Sequence, residues 1–506
     1  MACVANKGGC RPKVRTFPGK RDAALRAFSA SEGKASSPGK HSEQRWFLPE
    51  VANVFRERAS GPGKRGEASG FVSEQATLAA LRLENHSRVC IVGGGPAGSF
   101  AALQLQRLSE LHNLHLEVLI FEPRDFSRPG PAGCNRCAGV LSSRLWGNLS
   151  ELGLSIPDDI VQADLQSYNI HLDHQSIHLE RPDPTRRIVS VYRGGGPRHG
   201  QPVPEASFDQ FLLSQAANRG AMHIPRRVRE VRWDGRPVVY TTTDHYPADL
   251  LVLAIGINSR SPLDGSFSYH PPKTEVMAQD EVLRPENWIS DEVNAYFKQP
   301  SGLSFGAIIP KGRYLNISLL GKGFTRNSIE EFISTQNLTD VLQYNSSSGL
   351  CGCNPRIAVS IARRYFGDRW VAVGDAAVTR LYKDGIGSAF QTTKSAMSAA
   401  VSMGISHSTF RQYYAPICRS IATDNTYGFM LFRLWNFVLN SPVLLNAWKA
   451  AIQWEMSQPT KDRKHMRILW GMLTGDEPYR KLFYKGINPI SLLHLGYGMN
   501  SKWGGG

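Results

Sequence analysis

Cysteines and long apolar runs are both scarce in this sequence of 506 residues. Only 8 cysteines occur, and the 47 glycines follow no triplet period, which excludes a disulfide-rich mini-protein and a collagen-like chain. No stretch of about 18 uninterrupted apolar residues is present, so no transmembrane helix is expected. An apolar signal-peptide core is also missing, and we therefore expect the cysteines to be reduced thiols.

Basic residues outnumber acidic ones, because 59 Lys and Arg against 43 Asp and Glu give a formal net charge of +16. Residues 1–45 hold ten basic and three acidic residues among many Gly, Ser and Pro. This composition predicts a disordered basic tail or a presequence over residues 1–85, with a start codon placed too far upstream as a third explanation. Organelle targeting thus stays open beside a cytoplasmic location. Nucleic acid is not an expected partner, because no helix-turn-helix, zinc-finger or RNP-like segment accompanies the charge.

Residues 88–98 carry a nucleotide-binding pattern. A β-branched run, typical of a buried parallel strand, leads into Gly-Gly-Gly-Pro-Ala-Gly and then into a helix-forming segment. Gly93 permits the tight turn, Gly95 lets the backbone approach a pyrophosphate, and Gly98 allows close packing of helix on strand. The helix start then offers N–H groups to the phosphates. The predicted cofactor-binding residues of this segment are Gly93, Gly95, Pro96, Ala97 and Gly98.

The next predicted strand follows this helix and ends at Glu122. A carboxylate at the tip of this strand hydrogen-bonds a ribose hydroxyl, and its charge disfavours a 2′-phosphate. The segment therefore favours FAD or NAD over NADP.

A second glycine-rich segment distinguishes FAD from NAD. Another buried-strand pattern ends in Gly374 and Asp375, and Gly385 and Gly387 then open a helix predicted from Ser388 to about residue 403. An Asp at a strand end can bind a ribityl hydroxyl. The helix start offers N–H groups to the flavin pyrimidine, where negative charge grows on reduction. The pattern predicts FAD.

Together these motifs resemble the FAD-dependent oxidoreductases of the para-hydroxybenzoate hydroxylase superfamily, and within it most closely the geranylgeranyl reductase group. The resemblance rests on G-x-G-x-x-G, G-D-A-A…G-x-G and an A-D-L-hydrophobic-A-x-G strand at 248–256, and it covers about residues 86–405. It implies an α/β fold in which a Rossmann-type FAD-binding domain is interleaved with an antiparallel β-sheet substrate domain. It also implies FAD as cofactor, with NAD(P)H or another external electron donor.

The resemblance assigns two further residues. Arg193, followed by a helix that begins Phe-Asp-Gln-Phe-Leu, is similar to the family's R…F-D-x-x-L-x-x-x-A pattern, whose Arg lies near the flavin. A Gly- and Pro-rich insertion at 194–204 departs from the family's spacing. Cys137, followed by Ala-Gly, is similar to the C-G-G motif of the reductases. This similarity implies that Cys137 lines the active site, and it is the one candidate catalytic residue.

Four cysteines stand in two close pairs. Cys134 and Cys137 form a C-x-x-C, which suits a redox dithiol or half of a metal site, with Cys351 and Cys353 as the other half. The C-x-C spacing is atypical for a half-site, and the two pairs lie far apart in the chain. We therefore expect plain thiols near the flavin and no metal. Arg136, in the same loop, is either an anion-binding residue or a solvated charge.

Residues 258–344 show the alternating pattern of antiparallel strands. Two such runs joined by Lys311 and Gly312 predict a β-hairpin. No obvious acid or base stands in these strands, so we expect an apolar substrate pocket. Asn316 and Ser318 are expected to face outward.

The last hundred residues predict strongly apolar helices, which form either a buried cap or a surface for a membrane or a lipid tail. The expected segments are a basic tail or presequence (1–85), FAD-binding parts (86–165, 201–257 and 351–405), substrate-domain parts (166–200 and 258–350) and a C-terminal helical cap (406–506).

These features predict an FAD-dependent oxidoreductase that reduces carbon–carbon double bonds of an isoprenoid or lipid-like substrate. Hydride transfer from flavin N5 needs mainly positioning and exclusion of water, so few acid–base residues are required. The expected partners are an apolar small molecule or lipid and, peripherally, an anionic membrane.

A flavin monooxygenase or halogenase is the main alternative. The hydroxylase His after G-D-A-A, the Asp of A-D-G and the halogenase W-x-W-x-I-P are missing, Lys383 replaces the usual Pro, and no halogenase-type Lys is evident. A non-catalytic flavin- or lipid-binding protein is the third hypothesis.

Overall fold

The computed structural model describes most of the chain from residue 81 onward. Described are residues 81–506 except 135–136, 173–174, 201–202, 289, 299, 345–348, 460–462, 490, 492–494 and 496–506. The predicted basic tail or presequence therefore lies almost entirely outside the described residues.

Strands and helices are numbered here in chain order. The strands are β1 (Arg88–Val92), β2 (Glu117–Phe121), β3 (Val140–Leu141), β4 (Val161–Asp164), β5 (Ser167–Leu172), β6 (Gln175–Glu180), β7 (Val189–Val191), β8 (Met222–Ile224), β9 (Glu230–Asp234), β10 (Arg236–Tyr240), β11 (His245–Pro247), β12 (Leu250–Leu253), β13 (Thr274–Leu283), β14 (Val293–Tyr296), β15 (Leu303–Lys311), β16 (Tyr314–Gly321), β17 (Arg356–Ala358), β18 (Phe366–Gly367) and β19 (Trp370–Ala372). The helices are α1 (Pro96–His112), α2 (Ser143–Glu151), α3 (Phe208–Asn218), α4 (Ser328–Thr335), α5 (Gly385–Ser402), α6 (Ala415–Leu439), α7 (Pro442–Met456), α8 (Lys464–Thr474) and α9 (Tyr479–Gly486). Short helical turns at His407–Thr409 and Phe410–Tyr414 lead into α6.

One sheet has six strands in the order β18-β19-β12-β1-β2-β8, and only the β18–β19 pairing is antiparallel. Its central strands are aliphatic and buried, because helices cover a parallel sheet on its faces. Helix α1 packs against both α3 and α5. The carboxyl ends of β1 and β19 lead directly into the two glycine-rich segments, so both segments lie at one edge of this sheet.

A second sheet has seven strands in the order β17-β13-β16-β15-β14-β5-β6. All its pairings are antiparallel except that of β14 with β5. Two three-stranded sheets, β11-β10-β9 and β3-β7-β4, complete the strand pairing of the described residues. A mixed α/β architecture with parallel and antiparallel sheets and C-terminal helices is thus confirmed.

The predicted hairpin is present as β15 and β16, with Gly312 in its turn at φ +59°. Lys311 belongs to the strand and not to the turn, and its amine forms a buried ion pair with Glu281 at 2.6 Å. The expectation that Asn316 and Ser318 face outward is wrong, because both are buried. Alternate residues of β16 pack towards α4, and the residues between them face the interior on the opposite side of the sheet.

Helices α6 to α8 pack onto the seven-stranded sheet. Trp435 of α6 lies 6.1 Å from Phe297 and 5.6 Å from Trp448, measured between ring centroids, in edge-to-face arrangements. Trp470 of α8 packs edge-on against Tyr168 of β5 at 5.4 Å. These helices therefore form a cap whose aromatic side chains complete the core beneath the sheet.

One side of α6 and the start of α7 remain apolar and exposed. Met430, Leu434, Phe437 and Val443 expose between 45% and 65% of their surface. Among the described residues, no single helix has the length and apolarity needed to cross a bilayer. The stretch His407–Leu439 and helix α7 satisfy that criterion only as a pair, across a bend of 106°.

Candidate functional site

The first glycine segment forms a tight turn between β1 and α1. Gly93 has φ +107°, and a Cβ on it would lie 2.5 Å from the Ala254 oxygen. A Cβ on Gly98 would lie 1.8 Å from the Gly93 oxygen, so only glycine fits at either position. Helix α1 begins at Pro96 and carries no acidic side chain in its first turn. Pro96 and Ala97 line the cavity, so the positive end of the α1 dipole lies at its wall.

Glu122 lies at the end of β2 with 2% of its surface exposed. It accepts hydrogen bonds from the Gly94 N–H at 3.0 Å and from Nε and Nη2 of Arg124, both at 2.9 Å. Burial by itself would raise the pKa of Glu122, but Arg124 and the backbone amides of Gly94 and Arg124 outweigh it and lower the pKa. Arg124 was not predicted from the sequence. The only feature that indicates it there is a basic residue two positions after the acidic residue at the end of a strand.

The second glycine segment meets the first. Gly374 has φ +59°, and a Cβ on it would lie 2.8 Å from the Cβ of Ala97 in α1. The Gly374 N–H donates to Oγ1 of Thr392 in α5 at 3.0 Å. Helix α5 begins at Gly385, slightly before the predicted Ser388. The two motifs, which lie far apart in the chain, therefore pack against each other at one edge of the six-stranded sheet.

The two acidic residues of the second segment face different surroundings. Asp375 lines the cavity, and burial raises the pKa of its carboxyl, with Thr379 and Arg193 opposing that shift. Asp384 sits in the left-handed region at φ +55° and accepts hydrogen bonds from Ser142 at 2.8 Å and Arg144 at 2.9 Å. The Asp375 carboxyl is thus available to a ligand. The Asp384 carboxylate instead connects the start of α5 to the start of α2 through its hydrogen bonds.

Arg193 lies at the cavity wall in a buried ion pair with Asp209 of α3. Its Nη2 donates to Oδ2 of Asp209 at 3.0 Å, and Nε contacts the other oxygen. Burial disfavours the guanidinium charge, but the carboxylate outweighs that effect and the pKa of Arg193 is raised. The Gly- and Pro-rich segment after Arg193 packs tightly, because a Cβ on Gly194 would lie 2.7 Å from the Cα of Cys134.

The cysteine loop forms part of the same cavity. Cys134 and Cys137 both line it, whereas Cys351 lies behind the wall, with its Sγ accepting from the Arg198 N–H at 3.0 Å. Burial raises the pKa of Cys351 to about 11, and nearby Cys134 and Cys353 add to the shift. A raised pKa disfavours the thiolate, so this thiol has weak nucleophilic character.

Within the described residues, no group of three or more His, Cys, Asp or Glu side chains has the arrangement of a metal site. The candidate anion-binding residue Arg136 lies outside the described residues.

These elements enclose one cavity of about 1110 Å³. That volume is larger than the roughly 300–1,000 Å³ typical of drug-sized ligands. The predicted site residues that line it are Gly93, Gly95, Pro96, Ala97, Glu122, Cys137, Arg193, Asp375 and Gly385. Gly98, Gly374 and Gly387 do not line it; the first two pack behind the cavity wall and shape it.

The far end of the cavity lies beneath the seven-stranded sheet. Its lining there includes Met277, Phe305, Ile309 and Leu320, and the end of α8 closes it with Leu473. The cap therefore supplies part of the lining of the predicted pocket. Motif spacing did not indicate this contribution.

Lys383 also lines this cavity, although the sequence analysis treated it only as a replacement for Pro. Its Nζ lies 3.9 Å from the centroid of the Phe305 ring. A lysine thus lines the cavity, although no halogenase-type Lys was evident in the sequence. The lysine is supplied by the loop before α5, which only the folded chain brings to the sheet.

The sequence matches no protein-family model and no curated protein sequence. Solved structures do match. A geranylgeranyl bacteriochlorophyll reductase-like protein from Thermoplasma acidophilum is 15% identical, with 83% of this chain and 97% of that protein covered at a TM-score of 0.52. A flavin-dependent brominase is 16% identical, with 83% and 98% covered at 0.50. A 2-methyl-3-hydroxypyridine-5-carboxylic acid oxygenase is 15% identical, with 71% and 93% covered at 0.50.

These likenesses establish the fold. The chain has the fold shared by flavin-dependent oxidoreductases, halogenases and monooxygenases, as the resemblance in the sequence predicted.

Proposed function

We propose that this protein is an FAD-dependent oxidoreductase. The observation that carries the proposal is the contact between the two glycine segments, Gly374 against Ala97, at one end of a single cavity whose other end is apolar. A dinucleotide that reaches from the first segment to the second would leave its reactive end beneath the seven-stranded sheet.

The residues present fit FAD. The Gly93–Gly98 turn has no room for a Cβ at Gly93 or Gly98, and Gly95 between them lines the cavity, where its backbone can approach a pyrophosphate. Glu122 would accept from a ribose hydroxyl while Arg124 compensates its charge. Asp375 is a desolvated carboxyl that ribityl hydroxyls would stabilise by hydrogen bonding. When bound, the flavin supplies hydride transfer, and the protein supplies binding, orientation and a dry cavity.

We further propose that the reaction is reduction of carbon–carbon double bonds in an isoprenoid or lipid-like substrate. Support comes from the apolar lining near Phe305 and Leu320, from closure by Leu473, and from the position of Cys137 at the cavity wall. The lining favours exclusion of water over acid–base chemistry. The external electron donor would be NAD(P)H or another reductant.

A flavin-dependent monooxygenase or halogenase stays as the second candidate, because the Lys383 amine lies in the cavity. Air reoxidation separates the candidates. The protein is purified with its flavin, reduced anaerobically with dithionite, and mixed with air-saturated buffer in a stopped-flow spectrometer.

A reductase should reoxidise in a single spectral phase, whereas a monooxygenase or halogenase should pass through a transient absorbing species. A protein that purifies without flavin and does not bind added FAD would refute both candidates. A bound flavin that no donor reduces would favour the non-catalytic binding protein.

We also propose peripheral contact with anionic membranes through α6 and α7. Leu434, Phe437 and Val443 offer exposed apolar side chains, and Arg433 lies exposed among them. Liposome co-sedimentation with and without anionic lipid tests this proposal, and equal failure with both would remove it.

A further inference from the structure

The Lys383 amine has no counter-ion among the described residues. Its surface lines the cavity, and no described residue forms an ion pair or a hydrogen bond with its amine. The single strong contact is with the face of the Phe305 ring at 3.9 Å. Burial lowers the pKa of Lys383 to about 7, and no neighbouring charge opposes the shift. A buried charge of this kind is costly unless something pairs with it.

The nearby acidic residues are engaged elsewhere. Asp384 accepts from Arg144 at 2.9 Å and from Ser142, which directs its carboxylate towards α2. Glu275 of β13 accepts from the Tyr382 hydroxyl at 3.1 Å. Within the described part of the chain, the carboxylates of Asp384 and Glu275 therefore have partners, whereas the Lys383 amine has none.

The Lys383 backbone is held firmly. Its N–H donates to the Leu381 oxygen at 2.8 Å. Gly475, which ends α8 at φ +76°, packs so closely that a Cβ there would lie 2.7 Å from the Cβ of Lys383. The backbone is thus held at the cavity, and the contact with the Phe305 ring places the amine there.

We propose that Lys383 is the counter-ion for a single carboxylate on an otherwise apolar substrate. The proposal rests on the proposed function in taking this cavity as the substrate site. One ammonium matches one carboxylate, and the sheet side chains that line the cavity include the apolar Met277, Phe305, Ile309 and Leu320, with Gln279, Ser318 and Arg356 as the polar ones. A diphosphate needs several cations, and the neighbouring Arg380 is already bound to backbone oxygens of Gly475 and Glu477. The substrate class is therefore an amphiphilic carboxylate, with its chain along Phe305 and Leu320.

The test compares dodecanoate with dodecanol, which share a chain and differ in charge. Binding to the flavin-loaded protein is measured by titration calorimetry at pH 6, where the amine is protonated and the acid ionised. Wild type should bind dodecanoate at least tenfold more tightly than dodecanol. Lys383→Met should bind the two within threefold of each other. Lys383→Arg, which keeps the charge, should retain most of the preference.

Lys394→Met is the matched control, because Lys394 lies exposed on the same loop-and-helix unit and should leave the preference unchanged. The proposal is overturned if wild type shows no preference, if it binds neither probe, or if Lys383→Met keeps the preference.

A separate measurement, of the reduction potential of the bound flavin, tests whether Lys383 pairs with the anionic reduced flavin instead of with a substrate carboxylate. If Lys383→Met lowers the potential of the bound flavin and leaves dodecanoate binding unchanged, the amine serves the cofactor and the proposal fails. Flavin content is read from absorbance in the same samples. A wild-type protein that holds no flavin and binds no added FAD refutes the proposed function, whereas the dodecanoate preference reports on Lys383 alone.

Discussion

Arg193 and Asp209 form a buried ion pair at the cavity wall, with Nη2 and Oδ2 3.0 Å apart. Arg193 exposes 7% of its side chain and Asp209 none. The pair joins the strand region after β7 to the first turn of α3. It thereby positions a guanidinium at the cavity and stabilises the local fold with the same contact.

Replacing Arg193 by Met should lower the free energy of unfolding by about 3–5 kcal/mol, because the fully buried Asp209 carboxylate then loses its ion pair with Arg193. Urea unfolding followed by circular dichroism measures the loss. The control is Arg226→Met in the exposed pair Arg226–Asp244, where we expect less than about 1 kcal/mol. Similar losses in the two variants would contradict the structural importance of the buried pair.

Replacing Gly374 by Ala should abolish tight FAD binding. The new Cβ would lie 2.8 Å from the Cβ of Ala97 and would strain a backbone at φ +59°. Fluorescence titration of the apoprotein with FAD measures the effect, and we expect affinity to fall at least tenfold. Gly235→Ala is the control, because Gly235 has φ +63° but open space around its Cβ position. It should lose stability without losing FAD.

The stability difference between wild type and Lys383→Met should depend on pH. Native Lys383 has a pKa of about 7, against 10.5 for an ordinary lysine. Between these values the unfolded chain binds more protons than the native one, so the free energy of unfolding of wild type rises with pH relative to the variant. The slope is at most about 1.4 kcal/mol per pH unit. Below pH 7 the variant should be the more stable protein.

Urea unfolding at pH 6, 7.5 and 9 checks this dependence. The charged groups around Lys383 are already paired: Asp384 with Arg144, Arg380 with backbone oxygens, and Glu275 with a tyrosine hydroxyl. A difference that does not change with pH would show that the native amine titrates like that of an exposed lysine.

Truncation of two aromatic residues of α6 should have different effects on stability. Trp435→Ala should cost about 3–5 kcal/mol, because Trp435 is buried against Phe297 and Trp448. Phe437→Ala should change stability by less than about 0.5 kcal/mol, because Phe437 is 65% exposed. Phe437→Ala should instead weaken co-sedimentation with anionic liposomes. If Phe437→Ala is the more destabilising change, α6 packs on the sheet by its other face.

The local patterns of this chain are sufficient to predict its nucleotide segments. A strand, a glycine turn and a helix follow one another without interruption over 88–112, and each depends on neighbours in the sequence. For that reason Gly93 and Gly98 lie where the motif predicts, in a turn that leaves no room for a Cβ at either position. The β15–β16 hairpin was likewise predictable, with an error of one position at Lys311.

Contacts between distant segments could not be predicted in this way. Asn316 and Ser318 were predicted to face outward, but both are buried. The alternating pattern shows which residues share a face of the strand, but it does not show which elements cover that face. The place of the Lys383 amine in the cavity could not be predicted either, since Phe305 and Gly475, which contact Lys383, belong to segments far from it in the chain.

The sequence by itself determined the α/β class and the two glycine segments, because these depend on short-range geometry. Only the tertiary structure decided that Gly374 meets Ala97, that the cap contributes Leu473 to the cavity lining, and that Lys383 lies there with no counter-ion among the residues that the structure describes. Those relationships arise from the packing of segments that are distant in the chain, and burial, which sets the pKa of Lys383, exists only after that packing.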